Sequence, residues 1–307
     1  MADYSRYGHP SREWEEFIAI NPLTATGLAP GQGIEDLQRA TNKSREEASA
    51  HYLRSSGIRD RITFTDTQIP TQDGKTIGAR IYRPKKIPDD AILPVYIYFH
   101  GGGFLFGTLA SEDANCGRIV AALDIVVVNV CYRHTPHYKH PTQANDAWDA
   151  FNWVCNNLDV LGGDKRQVIV GGVSAGGALA ASVMMRENYT KNGRIRGQVL
   201  CIPQLFHFGS LPLDQFKSEE VCSYYQHVDA PIIPRTQLEM FKGVLGADNQ
   251  SDASLFVGID NHDDVARMPR TAIIIAGMDP LRDEALLYAN MLEENKYAGL
   301  VAHFEVD

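Results

Sequence analysis

A serine flanked by small residues follows a buried strand near the middle of this chain. Residues 172–177 read Gly-Val-Ser-Ala-Gly-Gly, directly after the β-branched run at 167–170. A run of this kind predicts a buried strand, and the residues from 177 to 185 predict a helix. A serine on such a turn is held in a strained conformation with its hydroxyl projecting, and small neighbours permit the close backbone approach. Ser174 is therefore a candidate nucleophile for acyl transfer.

Composition limits the partners and the location of the protein. The chain has 307 residues, a net charge of −9 and 44% hydrophobic residues, which suits one large α/β domain with an added subdomain. The negative charge argues against nucleic acid as a partner. No apolar run is long enough for a membrane span, and the polar N-terminus lacks a signal peptide, so we expect a cytoplasmic protein. The five scattered cysteines lack metal-site spacing, which predicts reduced thiols and no metal.

The chain divides into a helical start and a longer α/β part. Residues 1–60 carry helical patterns and predict N-terminal cap helices, one of them opening with Ser44 as its cap. Within 61–307, Asp73-Gly74 predicts a hairpin, and strands then alternate with helices. This alternation predicts a mostly parallel central sheet with helices on both faces. An insertion at about 205–248 breaks the rhythm and is expected to add to the cap.

A glycine run supplies candidate donors for the oxyanion. His100 and three glycines follow the predicted strand at 95–99, where such a loop can fold over the serine turn. Glycines let backbone N–H groups approach a substrate without a side-chain clash. We predict that the N–H groups of Gly102, Gly103 and Ala175 bind the oxyanion, and that His100 orients the loop. A plain glycine turn is the alternative interpretation.

The candidate acid of the triad is Asp279. It follows the apolar run at 271–276 and precedes Pro280, as expected for a carboxylate at the end of a later strand. The same position also suits a helix N-cap with proline behind it, and the two roles are compatible. Asp283 lies inside the following helix, where we expect it to interact with the helix dipole.

Together these segments resemble the hormone-sensitive-lipase-like family of α/β-hydrolase carboxylesterases. The resemblance covers about residues 62–307 and extends to Tyr132-Arg133 with Pro136. It implies the α/β-hydrolase fold, a helical cap and hydrolysis of short to medium acyl or aryl esters without a cofactor. It also implies a homodimer formed through the edge strand. Val173 and His134 depart from the usual residues of the family, which affects the expected substrate range.

The resemblance implies a histidine base about thirty residues beyond the acid, on the loop after the last strand. That count leads to positions 309–312, whereas the sequence ends at Asp307, so we expect neither this histidine nor the final helix within the chain. His303 lies in a strand pattern and His207 at the cap junction, and both are weaker candidates for the base. The chain then corresponds to a truncated product of an ancestrally active esterase gene.

Other functions share the same residues. A small-molecule-binding, receptor-like protein would use the scaffold without catalysis, and a lactonase or acyltransferase would use the same machinery on another substrate. Aromatic side chains near the loop and the insertion are candidate pocket walls, with an ordinary core role as the alternative. These candidates are Phe104, Phe206, Phe208, Tyr224 and Tyr225.

We expect these 307 residues to hydrolyse p-nitrophenyl acetate about a millionfold more slowly than an enzyme with a complete triad. The reason is that loss of the triad histidine removes roughly 8 kcal/mol of transition-state stabilisation. A spectrophotometric assay of the purified protein measures this directly. Ordinary turnover by these residues alone would refute the expectation.

Overall fold

The computed structural model describes residues 1–23, 28, 31–207, 211–247, 255 and 268–294, and the backbone of 301–306. Its centre is a sheet of eight strands in the order β1-β2-β4-β3-β5-β6-β7-β8. The first two strands are antiparallel to their neighbours, and all other pairs are parallel. The strands are β1 Ile62–Pro70, β2 Thr76–Pro84, β3 Leu93–Phe99, β4 Val126–Cys131, β5 Gly163–Val173, β6 Ile195–Cys201, β7 Arg270–Ala276 and β8 Val301–Val306.

Helices cover both faces of this sheet, as the sequence predicts. Alternate residues of β3 show the two faces: Ile97 and Phe99 belong to one core cluster, and Tyr96 and Tyr98 belong to the other. Both clusters are buried, so the strand is apolar on each side. The described helices are α1 Arg12–Ile20, α2 Ile34–Ser55, α3 Asp113–Leu123, α4 Thr142–Asn156, α5 Leu158–Leu161, α6 Ala175–Thr190, α7 Ser223–Gln226, α8 Arg235–Leu245 and α9 Arg282–Glu294.

The hairpin predicted at Asp73-Gly74 is confirmed, because β1 and β2 pair antiparallel around it. The predicted helix start at Ser44 is wrong. Helix α2 runs unbroken through this position, and tertiary contacts on either side of it hold the segment. The Ser49 hydroxyl accepts the backbone N–H of Ala114, and Arg45 pairs with Glu112. Such contacts outweigh the weak local preference of a serine for a cap.

The N-terminal helices and the segment after β6 both lie at the carboxyl ends of the parallel strands. Helix α2 and helix α8 each place side chains around Ser174, as described below. The division into cap and catalytic domains remains a prediction. None of the helices in the described ranges has the length and apolar character needed to cross a bilayer. Strand β8 stands at one edge of the sheet, and the homodimer expected there also remains a prediction.

Candidate active site

Ser174 occupies the sharp turn between β5 and α6. Its backbone has φ 52° and ψ −115°, a region that residues other than glycine rarely adopt. The turn is held on both sides: its N–H donates to the carbonyl of Cys201 at 2.9 Å, and its carbonyl accepts the N–H of Ala178 at 3.0 Å. The strained serine predicted from the sequence is therefore present, and the surrounding hydrogen bonds fix its position.

Small residues around this turn are required by backbone crowding. A Cβ atom on Gly176 would overlap the carbonyl oxygens of Phe99 and His100 at the end of β3. A Cβ atom on Gly172 would overlap the carbonyls of Gly176 and Phe99. Backbone atoms cannot yield as a flexible side chain can, so only glycine fits at both positions. The contact brings the start of α6 against the end of β3.

The glycine loop after β3 adopts conformations that favour glycine. Gly102 has φ +132° and Gly103 has φ +61°. The Gly102 carbonyl accepts the N–H groups of Leu105 at 3.0 Å and Phe106 at 2.8 Å, which closes the loop into a tight turn. Both glycines line the same cleft as Ser174. The loop therefore stands where the oxyanion donors are expected, and Ala175 begins α6 directly after the serine.

His100 is completely buried behind this loop. Its Nδ1 lies 3.1 Å from the carbonyl of Gly101, and its Nε2 lies 3.2 Å from Nε2 of His134. The ring stacks on Tyr132 with centroids 4.4 Å apart, and the Tyr132 hydroxyl donates to the His100 carbonyl at 2.8 Å. Burial lowers the pKa of His100 below its ordinary value, which favours a neutral ring. These contacts suit a residue that orients the loop.

An open cleft of about 680 Å³ surrounds Ser174. Helix α2 forms one wall, and Ile202 with residues 232–241 forms another. The polar groups Arg45, Tyr98 and Glu112 lie along its side. The large apolar side chains of the lining are Leu37, Phe106, Ile202, Ile232, Ile233 and Phe241.

The aromatic residues proposed as pocket walls do not line this cleft. Phe104 is buried in the core, and the N–H and hydroxyl of Thr135 both donate to its carbonyl. Phe206 is buried too. Tyr224 packs under the Arg235 guanidinium at 4.7 Å.

Tyr225 contacts the ring of Tyr224 with centroids 5.7 Å apart and is not among the residues that line the Ser174 cleft. Phe208 lies outside the described residues. The sequence pattern does not distinguish an aromatic side chain of the core from one that lines a pocket. The sequence analysis therefore proposed some aromatic residues that packing buries. The apolar walls come instead from Phe106, Phe241 and three isoleucines.

Asp279 follows β7, at the edge of an apolar hollow of about 130 Å³. Its Oδ1 accepts the N–H of Leu281 at 2.8 Å, so the cap-like role and the acid role are both compatible with its position. Desolvation raises its pKa to about 6. The hollow shares Ile202, Ile232 and Ile233 with the serine cleft, so the two spaces adjoin. Ser174 and Asp279 therefore line adjoining spaces, and the role of Asp279 as the acid of the triad remains a prediction.

Two acidic residues of α9 have roles that the sequence analysis missed. Glu284 accepts the N–H groups of Leu205 at 2.6 Å and Phe206 at 3.0 Å, and burial raises its pKa to about 8. Asp283 forms a buried ion pair with Arg282 at 2.7 Å and accepts the N–H of Ser223. It lies in the first turn of α9, as expected for a partner of the helix dipole, and the sequence analysis missed its buried partners Arg282 and Ser223. The two adjacent acidic residues at the start of a predicted helix, Asp283 and Glu284, are the sequence pattern that could have indicated these roles.

None of the described histidine side chains lines the serine cleft. His207 is buried, with its Nε2 2.8 Å from the carbonyl of Ala247. The backbone of His303 lies in β8 opposite Ile273, as its strand pattern predicts, and its side chain lies outside the described residues.

Residues 96–305 match the family model described as the alpha/beta hydrolase fold. The match includes the glycine loop, the serine turn and Asp279, and it covers more than half of the chain. The chain belongs to the hormone-sensitive-lipase-like family of α/β-hydrolases. Membership agrees with the resemblance inferred from the motifs and with the observed strand order.

Relatives in this family carry the names of esterases. Esterase LipI of Mycobacterium tuberculosis is 34% identical over 217 residues, which are 70% of this chain and 65% of LipI. The chain thus spans just under two thirds of that relative. Ethyl acetate hydrolase of Pseudomonas putida is 29% identical over 91% of this chain and 85% of its own length. A hyperthermophilic esterase from Pyrobaculum calidifontis is 27% identical, with a TM-score of 0.78 over 96% of this chain and 88% of that one.

Gly176→Ala should destabilise the fold by about 2 kcal/mol or more, because its Cβ atom meets fixed carbonyls of β3. Gly243→Ala is the matched control, since Gly243 also lies inside a helix but has no atoms within 4 Å of an added Cβ. It should stabilise the protein by up to about 1 kcal/mol. Urea unfolding of both variants measures the difference. Equal effects would contradict the crowding at the serine turn.

Glu284→Gln tests the burial of that carboxyl while keeping an oxygen that accepts both N–H groups. Folding raises the pKa of Glu284 from 4.5 to about 8, so its favourable contribution is complete below pH 4.5 and is lost as pH rises toward 8. The unfolding free energy of the wild type should therefore fall relative to the variant, by at most about 1.4 kcal/mol per pH unit in that window. Glu294→Gln, at the exposed end of the same helix, is the control. Parallel pH profiles for wild type and Glu284→Gln would contradict the assignment.

Proposed function

We propose that this chain is a serine carboxylesterase that acts on short to medium acyl or aryl esters through an acyl-enzyme at Ser174. The observation that carries the proposal is the shared cleft: the strained serine and the glycines of the oxyanion loop face one space. Strain at a non-glycine residue persists only where surrounding structure holds it, and it concentrates at functional sites. Names of relatives, including an ethyl acetate hydrolase, agree with ester substrates.

The reaction proceeds in two halves. The Ser174 hydroxyl attacks the ester carbonyl as its proton passes to a base, and the N–H groups of Gly102, Gly103 and Ala175 stabilise the oxyanion. Collapse of the tetrahedral intermediate expels the alcohol, which takes up the proton. Water then attacks the acyl-enzyme by the same route and releases the carboxylic acid. No step needs a cofactor.

Asp279 is the acid that orients and stabilises the base in this proposal. The base is a histidine in a Ser-His-Asp arrangement, and it is not one of the described histidine side chains that were located above. The hollow beside Asp279 is apolar and adjoins the serine cleft. An imidazolium formed there would interact strongly with the carboxylate, because little water screens the pair. The same contact would lower the raised pKa of Asp279.

Apolar walls favour an uncharged acyl or aryl group. Ile202, Ile232 and Ile233 stand between the serine cleft and the Asp279 hollow, and Phe106 and Phe241 flank the oxyanion loop. Burial of methylene groups against such side chains supplies about 0.8 kcal/mol each, which suits short and medium acyl chains. A lactone or an acyl-acceptor alcohol would enter by the same route, so these substrates are alternatives within the same chemistry.

A fluorophosphonate probe tests the nucleophile directly, because it leaves a covalent mark on an activated serine. We expect mass spectrometry of the digested protein to find the label on Ser174, and Ser174→Ala to abolish it. Ser182→Ala is the matched control, since Ser182 lies on the same helix but is buried in the core. It should retain full labelling.

Two outcomes would count against the enzyme. Labelling spread over several serines would show that Ser174 is not activated. An unlabelled protein that binds a non-ester ligand equally well with and without Ser174→Ala would support the receptor-like alternative. Selective labelling together with measurable release of p-nitrophenol that requires Ser174 supports the esterase.

A further inference from the structure

The carbonyl of Gly101 receives two donors from outside the oxyanion loop. Nη1 of Arg45, on cap helix α2, lies 3.2 Å from this oxygen, and Nδ1 of His100 lies 3.1 Å from it. A carbonyl has two lone pairs, so both acceptor positions are filled. The Gly101 carbonyl and the Gly102 N–H belong to the same peptide unit. A group that polarises the Gly101 carbonyl therefore also changes the Gly102 N–H, which donates to the oxyanion in the proposed mechanism.

We propose that Arg45 is a positioning residue of the oxyanion loop, which acts by hydrogen bonding to the Gly101 carbonyl and so strengthens the Gly102 N–H as a donor. This inference rests on the proposed function of the loop. Withdrawal of electron density from the carbonyl makes the N–H of the same peptide more acidic, as in any chain of cooperative hydrogen bonds. The contribution is larger in the transition state, where negative charge develops on the substrate oxygen.

The position of Arg45 is fixed by a buried partner. Its Nη2 lies 2.7 Å from Oε1 of Glu112, whose side chain is only 2% exposed. Burial by itself would raise the pKa of Glu112, but the Arg45 guanidinium and donors such as Tyr98 hold it below its ordinary value. Glu112 is therefore a carboxylate, and it fixes the guanidinium in one place. Its remaining donors are Tyr98, Ser111 and Asn115, at 2.9, 2.9 and 3.2 Å.

Arg45 also lies directly against the loop. A Cβ atom on Gly102 would come within 2.9 Å of its Nη1. The side chain remains 31% exposed and lines the cleft of Ser174. Its charge is therefore close to the site where the oxyanion forms, although Glu112 neutralises the pair as a whole.

His134 and His100 act on the same carbonyl from the other side. A carbonyl can only accept, so Nδ1 of His100 carries its proton, and its Nε2 then accepts from Nε2 of His134. The Gly101 carbonyl at the end of this series of hydrogen bonds therefore fixes which nitrogen donates in each of them. Gly101 thus lies between a histidine pair of the core and a guanidinium of the cap.

Arg45→Gln tests the role of the guanidinium in kinetics. In the enzyme with a complete triad, we expect kcat for p-nitrophenyl butyrate to fall about tenfold, less than the loss of an oxyanion donor itself, with KM changed less than about twofold. Arg45→Lys restores one donor to the carbonyl and should recover part of the lost kcat. Arg39→Gln is the matched control, because Arg39 is exposed on the same helix and pairs only with Asp36 among the described residues. It should match the wild type.

A second measurement does not depend on turnover. Selective labelling with ¹³C-carbonyl and ¹⁵N glycine isolates the few Gly–Gly peptides, and the Gly101 carbonyl resonance should move upfield when its donor is lost. If Arg45→Gln unfolds because Glu112 is left unpaired, Arg45→Gln/Glu112→Gln removes both charges and carries the same expectation. Failure of the fluorophosphonate probe to label Ser174 would count against the proposed function, and the carbonyl resonance would still decide this inference.

Three results would overturn it. A kcat equal to that of Arg39→Gln would show that Arg45 has no catalytic effect. A rise in KM at constant kcat would mean that Arg45 contacts the substrate and does not act through the loop. An unmoved Gly101 resonance would show that the hydrogen bond to the carbonyl does not exist in solution.

Discussion

The site depends on one close approach of backbone to backbone. The start of α6 lies against the end of β3 so tightly that Gly176 has no room for a side chain. This contact places the serine of one crossover beside the glycine loop of another, although about seventy residues separate them in the sequence. Ser174 and the glycines at 102 and 103 therefore line one cleft. The hydrogen bonds on both sides of Ser174 maintain the strained turn that this arrangement requires.

Two glycines of the loop after β3 lie against side chains of α2 and α8. Gly102 lies against Arg45 of α2, and a Cβ atom on Gly103 would overlap the ring of Phe241 of α8. Helices α2 and α8 thus contact the glycine loop and also line the Ser174 cleft. Glu284 adds a third connection, because it ties the start of the segment after β6 to helix α9. Motion of the cap would be transmitted to the loop through these contacts.

Sequence reasoning succeeded where a local rule governs the outcome. The glycines at 102 and 103 and the hairpin at Asp73-Gly74 follow from backbone conformations that favour glycine. The small residues around Ser174 form a short recognisable pattern, although carbonyls of β3 and His100 contribute to the crowding that requires them. It failed for the pocket, where Phe104 and Tyr224 were proposed and Ile202, Ile232 and Phe241 line the cleft. Whether an apolar side chain faces a core or a cleft depends on which elements pack above it. The periodic pattern of a single strand or loop does not show which of the two an apolar side chain faces.

The sequence by itself determined the family and predicted the reaction chemistry that we propose, because a serine turn, a glycine loop and an acid at the end of a strand each leave a short-range signature. It also determined the mostly parallel sheet, through the alternation of strands and helices. Only the tertiary structure decided that Ser44 lies within a continuous helix, that Glu284 is a buried acceptor, and that Arg45 and His100 meet at one carbonyl. Burial and long-range pairing set these properties, and both arise from residues distant in the chain. A single peptide oxygen receives a cap arginine and a core histidine only after the cap has packed onto the sheet.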